Sequence, residues 1–160
     1  NLAEVAAYAS TCDAYHRVQI APQTLEPVRA IELALLDAGL AKDDVGYVNL
    51  HGTGTELNDK METAALKKCF GERAGRLPMS STKSMIGHPQ GACGAAGIAA
   101  TILSMQQGEL HPTINLNHPD PECDLDYIAN VSRRAEVDVS LCNCIAFGSK
   151  NSAVVVRRGS

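Results

Sequence analysis

The chain has 160 residues, of which 45% are hydrophobic, 20% charged and 4% aromatic, a balance that suits one domain with its own core. The formal net charge of -4, without a basic run, argues against a nucleic-acid surface. No stretch approaches the roughly 18 uninterrupted apolar residues of a membrane span, and the start does not resemble a signal peptide. We therefore expect a cytoplasmic protein without nucleic-acid or membrane partners. Because Asn1 is not an initiator methionine, we also expect a fragment or a processed piece.

The cysteines are scattered through apolar or small-residue segments, which favours reduced thiols over a disulfide framework. Only Cys142 and Cys144 are closely spaced, and on a strand their side chains would share one face. Two ligands do not make a zinc site, and no second pair follows. We therefore predict no metal site.

Strands and helices alternate in the first part of the chain. Residues 2–9 are apolar and can pair as a strand, and residues 25–38 carry apolar side chains at helical spacing up to a stop at Gly39. Residues 45–50 form a short apolar run that indicates a buried strand. The next segment, HGTGT at 51–55, contains two glycines and is predicted to be a loop at the carboxyl end of that strand.

The alternation continues to the end of the chain. We predict a helix over 60–70, a strand over 77–81, a loop over 82–87, a helix over 89–107 and, after a proline-rich connection, two strands over 139–146 and 152–158. Asn58 or Asp59 is the expected cap of the first of these helices, which Gly71 ends, and Gly108 closes the second. This order predicts one α/β domain with a mainly parallel sheet covered by helices.

Two of the predicted strand-end loops carry a histidine, where open α/β sheets gather ligands. His51 lies in HGTGT and His88 in STKSMIGHPQGACG. Either histidine alone is more typical of a hydrogen-bonded structural residue. The pair favours a ligand site, because both histidines lie in glycine-flanked loops whose backbone can approach a ligand closely. Lys83, five residues before His88, is either a solvated surface lysine or a cation that orders a histidine.

The helix after His88 supports a site at its start. Gly91, Gly94 and Gly97 recur every three residues, and each interior glycine costs a helix about 1 kcal/mol relative to alanine. We therefore expect a buried helix whose small face packs closely against other backbone. Its N-terminus would point at the site, and the positive end of its dipole would help to keep His88 neutral as a hydrogen-bond donor.

Four motifs in order, HGTGT, STKSMIGH, PTINLNHPDPECDLDY and FGSKN, resemble the β-ketoacyl-acyl carrier protein synthases, above all the elongating type of fatty acid and polyketide synthesis. The resemblance runs along nearly all 160 residues. It implies the thiolase-like fold, in which two similar halves, each a mixed sheet with helices, pack in five αβαβα layers. Residues 1–160 match the C-terminal half only. The implied reaction is the decarboxylative Claisen condensation of an acyl thioester with a malonyl group on acyl carrier protein.

The resemblance also implies a Cys-His-His site. In it, His51 and His88 donate hydrogen bonds to the malonyl thioester carbonyl as carbon dioxide leaves. Lys83 matches the lysine that orders this region of the family. No resident cofactor is expected, because phosphopantetheine arrives on the acyl carrier protein.

Other positions match substrate contacts of the family. Thr53 and Thr55 match residues that contact the pantetheine arm, and Phe147, followed by Gly148, matches the gating phenylalanine near the carboxyl terminus. The expected partners are acyl carrier protein, the N-terminal half of the synthase, and a second subunit in a homodimer or a heterodimer.

The chain departs from the family pattern in three respects. The nucleophilic cysteine belongs to the first half, and no cysteine here has its strand-to-helix setting, so we expect these residues alone to be inactive. The terminal segment IAFGSKN replaces the usual FGFGGTN, and its added β-carbons at Ala146 and Ser149 would stiffen a loop that must swing. Gly97 replaces a glutamate of the bacterial fatty acid enzymes, which favours polyketide or other specialised metabolism.

Two alternatives remain open at the level of sequence. GHPQGACG is close to a thiolase signature, and Cys144 lies near the second catalytic cysteine of thiolases, although thiolases lack HGTGT and the lysine of TKSMIGH. A chain-length-factor-like partner without condensing activity is the other alternative. Such relatives often lose the catalytic histidines, which are both retained here.

Overall fold

The structure is a computed structural model, and it describes residues 1–146 and 150–159. Its helices and strands are, in chain order, β1 (Ala3–Cys12), α1 (Leu25–Asp37), β2 (Tyr47–Asn49), α2 (Glu56–Phe70), β3 (Met79–Ser80), α3 (Lys83–Ile86), α4 (Cys93–Gln107), β4 (Glu109–Leu110), β5 (Arg133–Arg134), β6 (Val139–Ala146) and β7 (Lys150–Arg158). The predicted alternation of strands and helices is confirmed. Among the described residues, no helix has the length and apolar character that crossing a membrane requires.

Five strands form one mixed sheet in the order β1-β7-β6-β2-β3. Strand β2 runs parallel to both β3 and β6, whereas β7 is antiparallel to both of its neighbours. The mixed sheet that the family resemblance implied is therefore confirmed, but the mainly parallel sheet predicted from the alternation is wrong. The reason is that β6 and β7, which are consecutive strands in the chain, pair antiparallel, and β1 adds to β7 in the same antiparallel sense.

Alternate residues of β6 and β7 face opposite sides of the sheet, and both sides are covered. Leu141 and Val155 belong to the main core, which α1 and α2 cover on one side. Cys142 and Val156 face the other side, where they pack with Met105 of α4. The sheet thus lies between two helical layers, and the carboxyl end of β2 is flanked by α2 and by the start of α4.

Helix α2 begins earlier than the sequence predicts. Its N-cap is Thr55, and the first helical hydrogen bond runs from the backbone N–H of Asp59 to the Thr55 carbonyl, at 3.0 Å. Asn58 and Asp59 therefore lie inside the first turn, and the expected cap there is wrong. The Asp59 carboxylate instead accepts a hydrogen bond from the backbone N–H of Gly54 at 3.2 Å, outside the helix.

The segment around His88 also differs from its predicted boundaries. Residues 82–87, predicted as a loop, contain the one-turn helix α3, and a 3₁₀ turn over Gln90–Ala92 precedes α4, which begins at Cys93 rather than at 89. The helix dipole of α4 therefore starts five residues after His88, further away than expected.

Close packing of α4 is confirmed at one of the three glycines. A β-carbon at Gly97 would lie 2.9 Å from the Oδ1 atom of Asn49, so the close neighbour is a side chain rather than backbone. At Gly91 and Gly94 no described atom lies within 4 Å of such a β-carbon. The helix is buried along one side only, since Leu103 on the other side is 59% exposed.

Candidate active site

His51 lies directly beyond the carboxyl end of β2 and is only 5% exposed. The backbone N–H groups of His51 and Gly52 donate hydrogen bonds to the carboxylate of Glu62, at 2.9 and 2.8 Å. Gly52 has a φ of +40°, and a β-carbon there would lie 2.6 Å from Cβ of Ser81. The hydroxyl of Ser81 donates to the Gly52 carbonyl at 2.6 Å. The loop that carries His51 is therefore fixed by a buried acid on one side and by Ser81, directly after β3, on the other.

Glu62 is a buried carboxylate that the sequence analysis did not identify. It is 3% exposed, and it also lies 3.4 Å from the side-chain amide nitrogen of Asn143. Burial raises the pKa of Glu62, and the hydrogen bonds from Gly52 and His51 oppose that rise. A signal for this residue was present in the sequence, because Glu62 shares a helical face with the buried Leu66 and Cys69 at the spacing of an apolar stripe.

Lys83, at the start of α3, contacts His51 at two points. Its ammonium nitrogen lies 3.4 Å from Nδ1 of His51, and it donates a hydrogen bond to the backbone carbonyl of the same residue. An ammonium group can only donate, so Nδ1 is the acceptor nitrogen of the ring and Nε2 carries the hydrogen. Burial, then the charge of Lys83 and the proximity of His88, lower the pKa of His51 to about 3. The His51 imidazole is therefore neutral at physiological pH.

His88 stands beside His51 with its ring exposed to solvent. The two ring centroids are 5.6 Å apart, and the ring planes meet at 84°. Nδ1 of His88 accepts a hydrogen bond from the backbone N–H of Gln90 at 3.0 Å, so Nε2 is again the donor nitrogen of the neutral ring. The structure thus brings together His51, His88 and Lys83, all three residues that the sequence assigns to catalysis.

Thr53 and Thr55 line a hollow that is also lined by Leu50 and Gly52, the two chain neighbours of His51. Their hydroxyl oxygens are 2.8 Å apart, and the hollow has a volume of about 470 Å³. Polar residues from three segments line it, among them Thr53, Thr55, Lys83, Ser84, Thr113 and Asn115. Phe147 and Gly148, which the sequence assigns to the substrate gate, lie outside the described residues.

A buried polar cluster behind the site was also not predicted. The Asn49 amide donates to the Thr82 hydroxyl at 2.7 Å and lies 3.1 Å from Nε2 of His111. Tyr47 and Ser80 complete the cluster through their mutual contact of 2.7 Å. Because Thr82 immediately precedes Lys83, this cluster supports the turn that presents the ammonium group to His51.

Cys142 and Cys144 share one face of β6, as predicted, but they contact different residues of α4. Cys142 is buried with its sulfur 3.1 Å from the Thr101 hydroxyl, whereas the sulfur of Cys144 lies 3.2 Å from that of Cys93 at the start of α4. Cys93 and Cys144 line a second hollow of about 600 Å³ on the α4 side of the sheet. Lys83 lines both hollows and lies between them.

Comparison with known proteins assigns this arrangement to a family. Residues 2–117 match the family described as Beta-ketoacyl synthase, C-terminal domain. The chain belongs to the β-ketoacyl synthases. It is 44% identical over 97% of its length to 3-oxoacyl-[acyl-carrier-protein] synthase 2 of Synechocystis sp. and 46% identical over 98% to the tetracenomycin polyketide synthase ketoacyl synthase alpha subunit of Streptomyces glaucescens. It spans 37% of the length of each of these two synthases.

Solved ketosynthase structures share its fold. One is a solved complex described as a type II polyketide synthase acyl-carrier protein with its ketosynthase bound to the hexaketide. The match covers 99% of the present chain and 39% of the solved chain, with a TM-score of 0.96 and 37% identity. A β-ketoacyl synthase from Burkholderia phymatum matches 99% with a TM-score of 0.92 and 39% identity, over 38% of that chain. The α/β fold with a mixed sheet is therefore that of the ketosynthases.

Proposed function

We propose that this chain forms the decarboxylation side of a β-ketoacyl-acyl carrier protein synthase, which condenses an acyl thioester with a malonyl thioester. The observation that carries the proposal is the pair of imidazoles, with a neutral His51 held edge-on to His88 at 5.6 Å and Lys83 at its Nδ1 atom. A pair of Nε2–H donors beside a strand end suits a reaction that develops negative charge on one oxygen.

The chemistry places that charge on the malonyl thioester. When the bond to the carboxylate breaks, carbon dioxide leaves and the electron pair moves into the thioester, which becomes an enolate with a negative oxygen. His51 and His88 donate hydrogen bonds to this oxygen through Nε2–H. The enolate carbon then attacks the acyl thioester on the nucleophilic cysteine, and the cysteine sulfur departs as a thiolate. A neutral imidazole is the form this step requires, because it donates a hydrogen bond without transferring a proton irreversibly.

Lys83 has a positioning role in this scheme. Its two contacts fix the ring orientation of His51 and the tautomer in which Nε2 carries the hydrogen. Its positive charge also disfavours protonation of His51, since a nearby cation lowers the pKa of an imidazole.

Thr53 and Thr55 are the proposed contacts of the pantetheine arm. They line the hollow of about 470 Å³ that Leu50 and Gly52, the two chain neighbours of His51, also line, and polar groups from several segments are available there to meet an amide-rich chain. Phosphopantetheine would arrive there on acyl carrier protein, and no resident cofactor takes part. For Phe147 and Gly148 the proposed gating role rests on the sequence motif.

The proposed enzyme requires the N-terminal half of the family, which supplies the nucleophile. Residues 1–160 then form one C-terminal domain. Exposed apolar side chains such as Leu103, which is 59% exposed, and Ile86, which is 57% exposed, lie on and before α4, where another part of the synthase would cover them. The complete synthase would form a homodimer or pair with a ketosynthase-like subunit.

Incubation of the complete synthase, with its N-terminal half present, with an acyl thioester and malonyl-acyl carrier protein tests this function. Mass spectrometry should detect both an acyl-cysteine and a 3-oxoacyl product. A protein that forms neither, but alters the product length of an active ketosynthase, would be a chain-length-factor-like partner instead. Burial and the adjacent Cys93 raise the pKa of the Cys144 thiol, which counts against its use as the base of the thiolase alternative.

A further inference from the structure

Three side chains from separate elements meet between β2, β6 and α4. They are His51 beyond β2, Cys93 at the first position of α4 and Cys144 in β6. One potential ligand atom of each lies within 4.8 Å of those of the other two, and the two sulfurs are 3.2 Å apart. Both cysteines are reduced and partly buried. No step of the proposed condensation uses either thiol.

We propose that His51, Cys93 and Cys144 form a binding site for a thiophilic divalent metal ion such as Zn²⁺. Two thiolates and one imidazole are a ligand set that zinc accepts in catalytic sites, where a tetrahedral ion keeps its fourth position open. This inference revises the prediction of no metal site, which considered Cys142 with Cys144. The structure instead joins Cys144 to a cysteine 51 residues earlier in the chain.

The distances suit such an ion after a small adjustment. Zinc bonds of about 2.3 Å to sulfur and about 2.0–2.1 Å to nitrogen place tetrahedral ligands about 3.6–3.8 Å apart. The sulfurs, now 3.2 Å apart, would separate by about half an ångström to reach this spacing.

Charge and protons balance at this site. The two thiols release two protons to solvent, and the two thiolates neutralise the divalent ion, so the neighbouring Lys83 ammonium faces no net positive cluster. The ion takes the lone pair of one ring nitrogen of His51. At Nδ1 it displaces the Lys83 donor, and at Nε2 it moves the ring proton to Nδ1, so that the Lys83 contact to Nδ1 is lost in both cases.

If the proposed function holds, the metal inhibits condensation reversibly. An ion bound at Nε2 removes the Nε2–H donor of His51. An ion bound at Nδ1 leaves that donor but displaces Lys83 and so changes the ring orientation that Lys83 fixes. Metal binding itself does not depend on the proposed reaction, so the two are tested by separate measurements.

The binding test titrates the intact, reduced protein with Co²⁺ as an optical probe and then with Zn²⁺. We expect thiolate-to-cobalt charge-transfer absorption together with the intense visible bands of tetrahedral cobalt, and both should disappear when Zn²⁺ displaces the probe. Cys93→Ala and Cys144→Ala should each weaken Zn²⁺ binding at least tenfold, and Cys93→Ser and Cys144→Ser provide variants of nearly unchanged size. Cys123→Ala is the matched control, because Cys123 is also partly buried but lines the other hollow.

Binding without thiolate absorption, or unchanged affinity in the folded variants at both positions 93 and 144, would overturn the proposal. A loss in Cys123→Ala as large as in Cys93→Ala would do the same. For inhibition, the metal-free activity of Cys93→Ala should equal that of the unaltered protein, while at least tenfold more Zn²⁺ is needed to inhibit it. Zinc binding without inhibition would support the metal site and count against the role of His51 in condensation.

Discussion

The carboxylate of Glu62 accepts a hydrogen bond of 2.9 Å from the backbone N–H of His51. A buried carboxylate is costly unless its oxygens are paired, and here the N–H groups of His51 and Gly52 pair one oxygen each. Helix α2 thereby sets the position of the backbone at the carboxyl end of β2. Glu62 touches no reacting group in the proposed mechanism, so it acts as a positioning residue.

Glu62→Ala should lower kcat more than it changes KM for malonyl-acyl carrier protein. The substitution leaves two buried N–H groups without acceptors, each at a cost of about 1–3 kcal/mol, and frees the loop that holds His51. We expect kcat to fall at least tenfold. Glu62→Gln keeps one acceptor oxygen and should recover part of the loss. Steady-state kinetics of both variants measure this, and thermal unfolding gives the folded fraction of each. A fall in kcat no larger than the fall in the folded fraction would indicate a general loss of structure instead.

The ring of His51 should remain neutral between about pH 5 and 8, the range in which an ordinary histidine titrates. Its pKa is lowered to about 3 by burial and then by Lys83 and His88. Nitrogen-detected nuclear magnetic resonance of histidine-labelled protein should show the shifts of a neutral ring with hydrogen on Nε2 throughout this range. A His51 signal that titrates near its usual pKa would contradict the burial and the tautomer described above.

The same lowered pKa predicts how stability depends on pH. The unfolded chain protonates His51 near pH 6.5, while the folded chain does so only near pH 3, so the unfolded state binds more protons between these values. The free energy of unfolding therefore rises with pH across this window, by up to about 1.4 kcal/mol per pH unit from this group, and reaches its full value above pH 6.5. Urea unfolding at several pH values should show a shallower dependence for His51→Gln. An identical dependence in the two proteins would refute the prediction.

Gly52→Ala and Gly54→Ala form a matched pair in one loop. Both glycines have positive φ, 40° and 71°, so alanine is strained by about 1–2 kcal/mol at either. Only at Gly52 would the added β-carbon collide, at 2.6 Å from Cβ of Ser81, whereas no described atom lies within 4 Å at Gly54. Gly52→Ala should therefore lose most condensing activity and more stability than Gly54→Ala, as measured by product formation and thermal unfolding. Equal effects in both would show that backbone strain alone matters.

Lys83→Met should raise the pKa of His51. The substitution keeps much of the side-chain volume but removes the ammonium charge that disfavours a second cation beside it. Lys60→Met is the control, because Lys60 pairs with Glu122 at 2.6 Å on the surface and is not one of the groups that shift the pKa of His51. Histidine titration by nuclear magnetic resonance should show an upward shift in the first variant only. An unchanged pKa of His51 in Lys83→Met would show that the charge of Lys83 does not keep His51 neutral.

The sequence predicted the site residues that follow directly from strand ends, and it missed those that depend on the order of the strands. His51 and His88 lie in loops whose positions follow from local alternation, so they could be located one segment at a time. The contact of Cys93 with Cys144 requires that β6 lies beside β2 and that α4 packs on the side of the sheet that Cys144 faces. The periodicity of apolar residues within one segment gives neither of these. The same limit explains the wrong mainly parallel sheet, because periodicity identifies strands but not their directions.

Glu62 shows a second kind of limit. Its place on the buried stripe of α2 was visible, yet a single carboxylate on an apolar face has no identifiable partner until the HGTGT backbone is placed against it. Asn49 and His111 are similar, since their contact joins residues 62 apart in the chain.

The two half-reactions of the complete synthase, with its N-terminal half present, test most directly whether His51 and His88 carry out decarboxylation. His51→Ala and His88→Ala should each lower the release of carbon dioxide from malonyl-acyl carrier protein by about 10²–10³, because each removes one donor to the enolate oxygen. Acylation of the nucleophilic cysteine by an acyl thioester, followed by mass spectrometry, should continue in part in both variants. Condensation at the normal rate by either variant would contradict the assignment of these two histidines to decarboxylation.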